Sequence, residues 1–168
     1  MLIMEEYKME TSKTIKLSRI RNYPYIVNFN SSEGFKKTYE WSGSKDNKID
    51  TKSIPEEVVQ YLMMNTTTFT DGELKIVEDE DNTEAKEAID NLNEEYKNNS
   101  HTKDEITKLL EGNFMKMKSE INKITNKQEL NFIVDVAKEI KLDSNSKLAF
   151  LATTLNVPQD ILFETDEV

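Results

Sequence analysis

Apolar and polar positions alternate with period two in three early stretches, residues 14–18 (TIKLS), 25–29 (YIVNF) and 35–41 (FKKTYEW). Successive side chains on a strand point to opposite faces, so each stretch predicts a half-buried strand. In the third, Phe35, Lys37, Tyr39 and Trp41 share a face. NSSEG at 30–34 and SGSKDNK at 42–48 are turn chemistry, and a short extended piece is expected at 49–52. Ser53 and Glu56 then have the S-x-x-E spacing that satisfies two orphan backbone donors reciprocally at a helix start. Pro55 suits the first turn, and Glu56 and Glu57 lie near the positive end of the helix dipole. Val58, Val59, Leu62 and Met63 form the inward stripe of this helix. The β-branched run TTTF at 66–69 ends it, TDG at 70–72 turns, and residues 73–77 read as a closing strand.

Beyond residue 101 the period changes to that of a helix. Thr102 and Glu105 have capping-box spacing, and Ile106, Leu109, Leu110, Phe114, Met117, Ile121 and Ile124 follow at helical steps. One helix of five to six turns is expected there, with Gly112 as a close crossing or a weak point. A second helix starts at Thr125 with Gln128 and carries Leu130, Ile133, Val134, Ala137 and Ile140. A third starts near residues 144–146 and carries Leu148, Leu151, Ala152 and Leu155, and Pro158 restarts a short turn with Ile161, Leu162 and Phe163. Short connections between three such helices predict an antiparallel bundle.

The expected fold class is therefore α+β. Residues 1–77 form a small β-rich domain with one capped helix, although residues 1–12 show no committing pattern. Residues 78–101 form an acidic linker with a thin helical stripe at Ala85, Ala88, Ile89, Leu92 and Tyr96. Residues 102–163 form the three-helix bundle, and residues 164–168 an acidic tail. A single domain of ~60–70 residues is marginal alone, so the halves are expected to lean on each other or on a larger assembly.

Charge sharpens this division. The formal net charge is −10, but residues 71–95 alone hold 11 acidic and 2 basic side chains, while the flanking parts are nearly balanced. Carboxylates gathered in a connector behave as a solvated linker, not as a folded imitation of DNA. Lysine outnumbers arginine 20 to 2, a bias that fits an AT-rich genome. The chain has no cysteine, which excludes disulfides, thiolate metal sites and cysteine nucleophiles. No signal peptide and no membrane-spanning helix is expected, so the protein is read as not secreted.

Candidate chemistry is sparse. His101 is the sole histidine, and it reads as a surface residue of a polar connector. No Ser-His pairing, H-E-x-x-H or EF-hand spacing occurs, and the four glycines form no phosphate-cradling loop. Accordingly no enzyme activity, catalytic residue, metal or cofactor is expected. Arg19, Arg21, Lys36 and Lys37 lie among Tyr23, Tyr25, Phe35, Tyr39 and Trp41, so an aromatic, basic sheet could stack single-stranded bases. Small β domains more often bury such aromatics, and nucleic acid is disfavoured as a partner. Met63 and Met117 fall on core faces, whereas Met64 and Met115 fall off them. Thioethers suit adaptable surfaces, so Met64 and Met115 are the candidate partner contacts.

The segments IPEEVVQYL, FTDGELKI, HTKDEITKLLEGNFMKMKSEINKI and FIVDVAKEIKLDSNSKLAFLA, in this order, resemble small virion-associated proteins of tailed bacteriophages of low-GC Gram-positive bacteria. The resemblance covers about residues 14–163 and contains no catalytic signature. It implies a non-enzymatic structural protein, a minor head-associated component bridging other phage virion proteins. The implied location is the virion, and the host cytoplasm during assembly. A homo-oligomer is left open. The rival expectations are an acidic anti-defence or host-takeover inhibitor of a basic host protein, and a single-stranded nucleic-acid-binding regulator.

Overall fold

The computed structural model describes residues 13–45 and 48–164. The arm of residues 1–12 and the acidic tail beyond residue 164 lie outside the described residues. The fold is α+β, with small antiparallel sheets first and helices after.

Strand β1 (Thr14–Arg19) is central in a three-stranded antiparallel sheet, between β4 (Asp50–Pro55) and the two-residue β5 (Lys75–Ile76). Its alternation places Ile15 opposite Ile54, and Leu17 opposite Ile76 on the other side, so the apolar residues meet on one face. β2 (Tyr25–Asn30) and β3 (Lys36–Trp41) form a separate hairpin pairing Val27 with Tyr39. The hairpin closes on Gly34, whose φ of +86° is a conformation that favours glycine. Trp41 ties the two sheets together, because its fully buried indole Nε1 donates to the Leu17 carbonyl at 3.1 Å. Phe35, expected beside Tyr39 and Trp41, is instead exposed, because the turn holds it ahead of β3.

Helix α1 (Glu56–Asn65) lays Val58, Val59 and Leu62 on this core. Its start departs from the capping box expected at Ser53 and Glu56. β4 continues through Ser53, which pairs with Lys16, and the cap position falls on Pro55 with no side-chain cap. An extended serine engaged in a ladder cannot fold back over the first turn, so the strand wins.

Residues 78–101 also differ from a solvated linker. They contain α2 (Thr83–Asp90) and α3 (Glu94–Asn99), each capped by an asparagine side chain, Asn82 and Asn93. Ala85, Ala88 and Tyr96 join the N-terminal core, and Ile89 and Leu92 pack against it. The stripe is thin because two of its positions are alanine, which lets α2 approach β1 closely. Tyr96 also protects the short edge strand, because its hydroxyl accepts from the Ile76 backbone N–H at 2.9 Å.

The C-terminal module contains five helices in place of the expected three. α4 (Lys103–Glu111) begins with the capping box of Thr102 and Glu105, as the spacing predicts. It does not run on to residue 124. Asn113 starts a new helix, α5 (Phe114–Ile121), by accepting from the Met115 and Lys116 amides at 2.8 and 3.2 Å. The carbonyls freed at the end of α4 are taken by Lys147, whose Nζ donates to Leu110 at 2.6 Å and Gly112 at 2.7 Å. α6 (Lys127–Glu139) is capped by Asn126, not Thr125. α7 (Asn145–Leu155) and the single turn α8 (Gln159–Leu162) complete the module. Their core gathers Ile106, Leu110, Met117, Ile133, Val136 and Leu151.

Burial pushes the Tyr96 phenol up to about 12. Its folded value lies above the ordinary ~10, so the neutral form stabilises the fold. That contribution, about 2–3 kcal/mol, is complete below pH ~10 and is lost as pH rises through the folded value. Urea midpoints at pH 7 and pH 11 should therefore show a larger alkaline loss in the wild type than in Tyr96→Phe. At pH 7 the variant should be about 1–3 kcal/mol less stable, because the Ile76 N–H loses its acceptor. Equal alkaline losses would contradict this role.

Candidate functional site

The first strand ends at Arg19, Arg21 follows two residues on, and both guanidinium groups are fully buried. Arg19 ends β1 and Arg21 follows it in the bend beyond, and both reach the seam where the two modules meet. Arg19 Nε donates to the Tyr23 carbonyl and Nη1 to Glu73 Oε2, both at 2.8 Å. The Tyr23 ring lies under this guanidinium, 4.5 Å from its central carbon. Arg21 Nη2 donates to the Asp71 carbonyl at 2.7 Å, the Asn99 carbonyl at 3.0 Å and Glu129 Oε2 at 3.1 Å. Arg21 Nη1 makes no hydrogen bond but lies in an ion pair, 3.4 Å from Glu73 Oε1.

Glu129 stands in the first turn of α6 and is fully buried. Its second oxygen, Oε1, accepts from the His101 backbone N–H at 2.9 Å and lies 2.9 Å from His101 Nδ1. His101 is therefore part of the joint and not a free surface residue, as the polar sequence around it had suggested. Two guanidinium groups and two carboxylates thus balance inside one low-dielectric site. Arginine suits such a place, because its planar fork serves several acceptors and it does not deprotonate.

Asn99 completes the joint. Its Nδ2 donates to the Thr70 carbonyl at 3.0 Å and to Thr125 Oγ1 at 3.1 Å, and its Oδ1 accepts from the Thr125 and Asn126 amides, each at 3.2 Å. Gly72 closes over it with φ +68°, and a Cβ there would lie 1.6 Å from the Asn99 carbonyl oxygen. No side chain fits. Outside this centre, Lys75 Nζ donates to the Ser100 carbonyl at 2.7 Å and pairs with Glu105 at 3.6 Å. Burial raises the Glu105 carboxyl, but the Thr102 N–H and the Lys75 charge outweigh it and hold the group below the usual range. Asn22 Nδ2 donates to Asp135 Oδ2 at 3.3 Å. Burial raises Asp135, with Lys138 and Asn22 opposing.

An open cleft of about 730 Å³ lies between the modules, with Ile20 and Phe132 among its apolar lining and Lys103 and Glu139, which pair with each other, among its polar lining. Among the described residues, no group of three or more His, Asp or Glu is placed to hold a metal ion, and no helix is long and apolar enough to cross a membrane.

Of the residues singled out from sequence, Met64 ends α1 at 83% exposure and Met115 begins α5 at 69%. They sit in different modules. Of the aromatic, basic sheet, Arg19, Arg21 and Trp41 are fully buried and Tyr39 nearly so, while Tyr23, Phe35, Lys36 and Lys37 are exposed. Glu129 escaped sequence reading, since an acid in a first helical turn is ordinary dipole complement. One signal did point to the joint: the chain's two arginines stand two residues apart among 20 lysines.

Fold and joint together define a two-domain α+β protein whose halves are locked by a buried ion cluster. Residues 13–94 match the model of the YonA N-terminal domain, and residues 102–161 that of the YonA C-terminal domain. The two models together span most of the chain, which belongs to the YonA family, and YonA is a phage-associated protein name. Asn99, Ser100 and His101 lie between the two matched regions, so the joint is built partly from the connector. Neither the curated proteins nor the solved structures yield a match.

Removing one member of a buried ion pair leaves an uncompensated charge and costs about 3–5 kcal/mol. Arg21→Met and Glu129→Leu should each lose about that much stability in urea unfolding at pH 7, and the double variant should lose clearly less than the sum. Additive losses below about 1 kcal/mol each would remove the pair from its assigned role.

Proposed function

We propose that this chain is a non-enzymatic structural protein of a phage particle, a minor head-associated component that bridges other virion proteins. The observation that carries the reading is the buried ion joint. It ties two modules together, and each module exposes large apolar side chains. Ile26, Phe35 and Met64 are exposed on the N-terminal module, and Met115 and Ile161 on the C-terminal one. Two joined modules that each expose apolar side chains are suited to hold two protein surfaces together. Membership of a phage-associated family supports the same reading.

A second reading has one observation in its favour. The acids of residues 78–95 stand on and beside packed helices instead of on a loose tether, so they present a shaped negative surface. Such a surface suits an inhibitor of a basic host protein. The nucleic-acid alternative loses its support with the burial of both arginines.

Quantitative mass spectrometry of purified particles separates these readings. The structural role predicts the chain at a fixed ratio to the major capsid protein after stringent purification. Recovery only from infected-cell lysate would contradict it and favour the inhibitor.

A further inference from the structure

Helices α1 and α2 lie side by side over β1, and a groove of about 280 Å³ remains between them. Its floor is apolar, made by Ile15, Val59, Met63 and Ala88. Met64 forms one lip and is 83% exposed. Three carboxylates, Glu56, Glu84 and Glu87, stand around it, and no basic side chain lines it. Across the two helices Glu56, Glu57, Glu84, Glu87 and Asp90 face only one lysine, Lys86. Lys13 covers one end of the rim by pairing with Glu84 at 2.9 Å.

We propose that this groove docks a basic amphipathic helix of a protein partner, with one or two aliphatic side chains on the apolar floor and lysine or arginine over the carboxylate rim. The proposal rests on the bridging reading above and names the chemistry of one of the bridged surfaces. Three observations select this occupant. An apolar floor with a polar border between two helices matches the helix-in-groove mode of recognition. Paired methionines, one half-buried and one exposed, give that floor an adaptable wall. The rim is predominantly acidic, with Lys13 paired at one end only, so a cationic partner relieves repulsion that an apolar or acidic one leaves in place. The chain's own residues 1–12 carry Glu5, Glu6 and Glu10 against Lys8, which makes them a poor electrostatic match. A second copy, with a formal charge of −10, is likewise disfavoured.

The test uses the full chain with ¹³C-methyl-labelled methionine, and a synthetic helical peptide with leucine on one face and lysine on the other. The methyl signals of Met63 and Met64 should shift on titration while Met115 stays still. Glu87→Lys and Met64→Ser should each weaken binding at least tenfold. Two control peptides, one with serine replacing leucine and one with glutamate replacing lysine, should bind at least tenfold more weakly. Equal shifts at Met115, or unchanged affinity in Glu87→Lys, would overturn the proposal. So would concentration-dependent shifts of Met64 without peptide, which would assign the groove to a second copy. A particle arm separates this proposal from the reading beneath it. Wild-type chain in particles with Glu87→Lys incorporated at the same level would remove the groove and leave the bridging role. Absence of the wild type from particles would remove the bridging role itself.

Discussion

Arg21 has to be charged, and it has to be buried. That constraint organises the molecule. The bend after β1 carries the side chain into the seam between the modules, where water cannot screen it, and an unpaired cation there would cost several kcal/mol. Every surrounding segment answers this demand. Glu73 comes from the approach to β5, Glu129 from the first turn of α6, and carbonyls from Asp71 and Asn99. These groups come from three separate stretches, 71–73, Asn99 and Glu129, so the joint exists only when both modules are folded and docked. The positive φ and missing side chain of Gly72 let the chain pass close enough to Asn99 to supply those carbonyls.

The same constraint explains why residues 78–101 are folded. Asn99, Ser100 and His101 must reach the seam at fixed positions, and a loose tether would not hold them. α2 and α3 bring the chain there along the sheet, and Tyr96 anchors them to Ile76. Their acids remain on the outer side, which gives the molecule a folded acidic face beside an apolar groove.

Much of the fold was legible from pattern. The alternation of Ile15 with Leu17 and of Val27 with Phe29 announced strands, because period two survives even in short segments. Thr102 and Glu105 announced α4, because a capping box is a local device that distant packing rarely overrides. Where tertiary contacts decide, pattern failed. Ser53 has cap spacing but is held in β4 by Lys16, and the long helix predicted across Gly112 breaks because Lys147 can receive the freed carbonyls. The thin stripe of Ala85 and Ala88 read as part of a linker, yet small residues are what close packing on a strand requires. The exposure of Met64 and Met115 matches their off-face spacing, whereas Glu129 and His101 looked ordinary because their partners lie far away in the chain.

The central claim is that the buried ion cluster makes the two modules one cooperative unit. Trp41 is the single tryptophan and reports on the N-terminal core, while α4 to α7 dominate the helical signal from the other side. Tryptophan fluorescence and far-ultraviolet circular dichroism, followed together through urea unfolding, compare the halves in one sample. The account predicts a single coincident transition for both probes. Two resolved transitions, with the tryptophan signal changing while the helices remain, would contradict it.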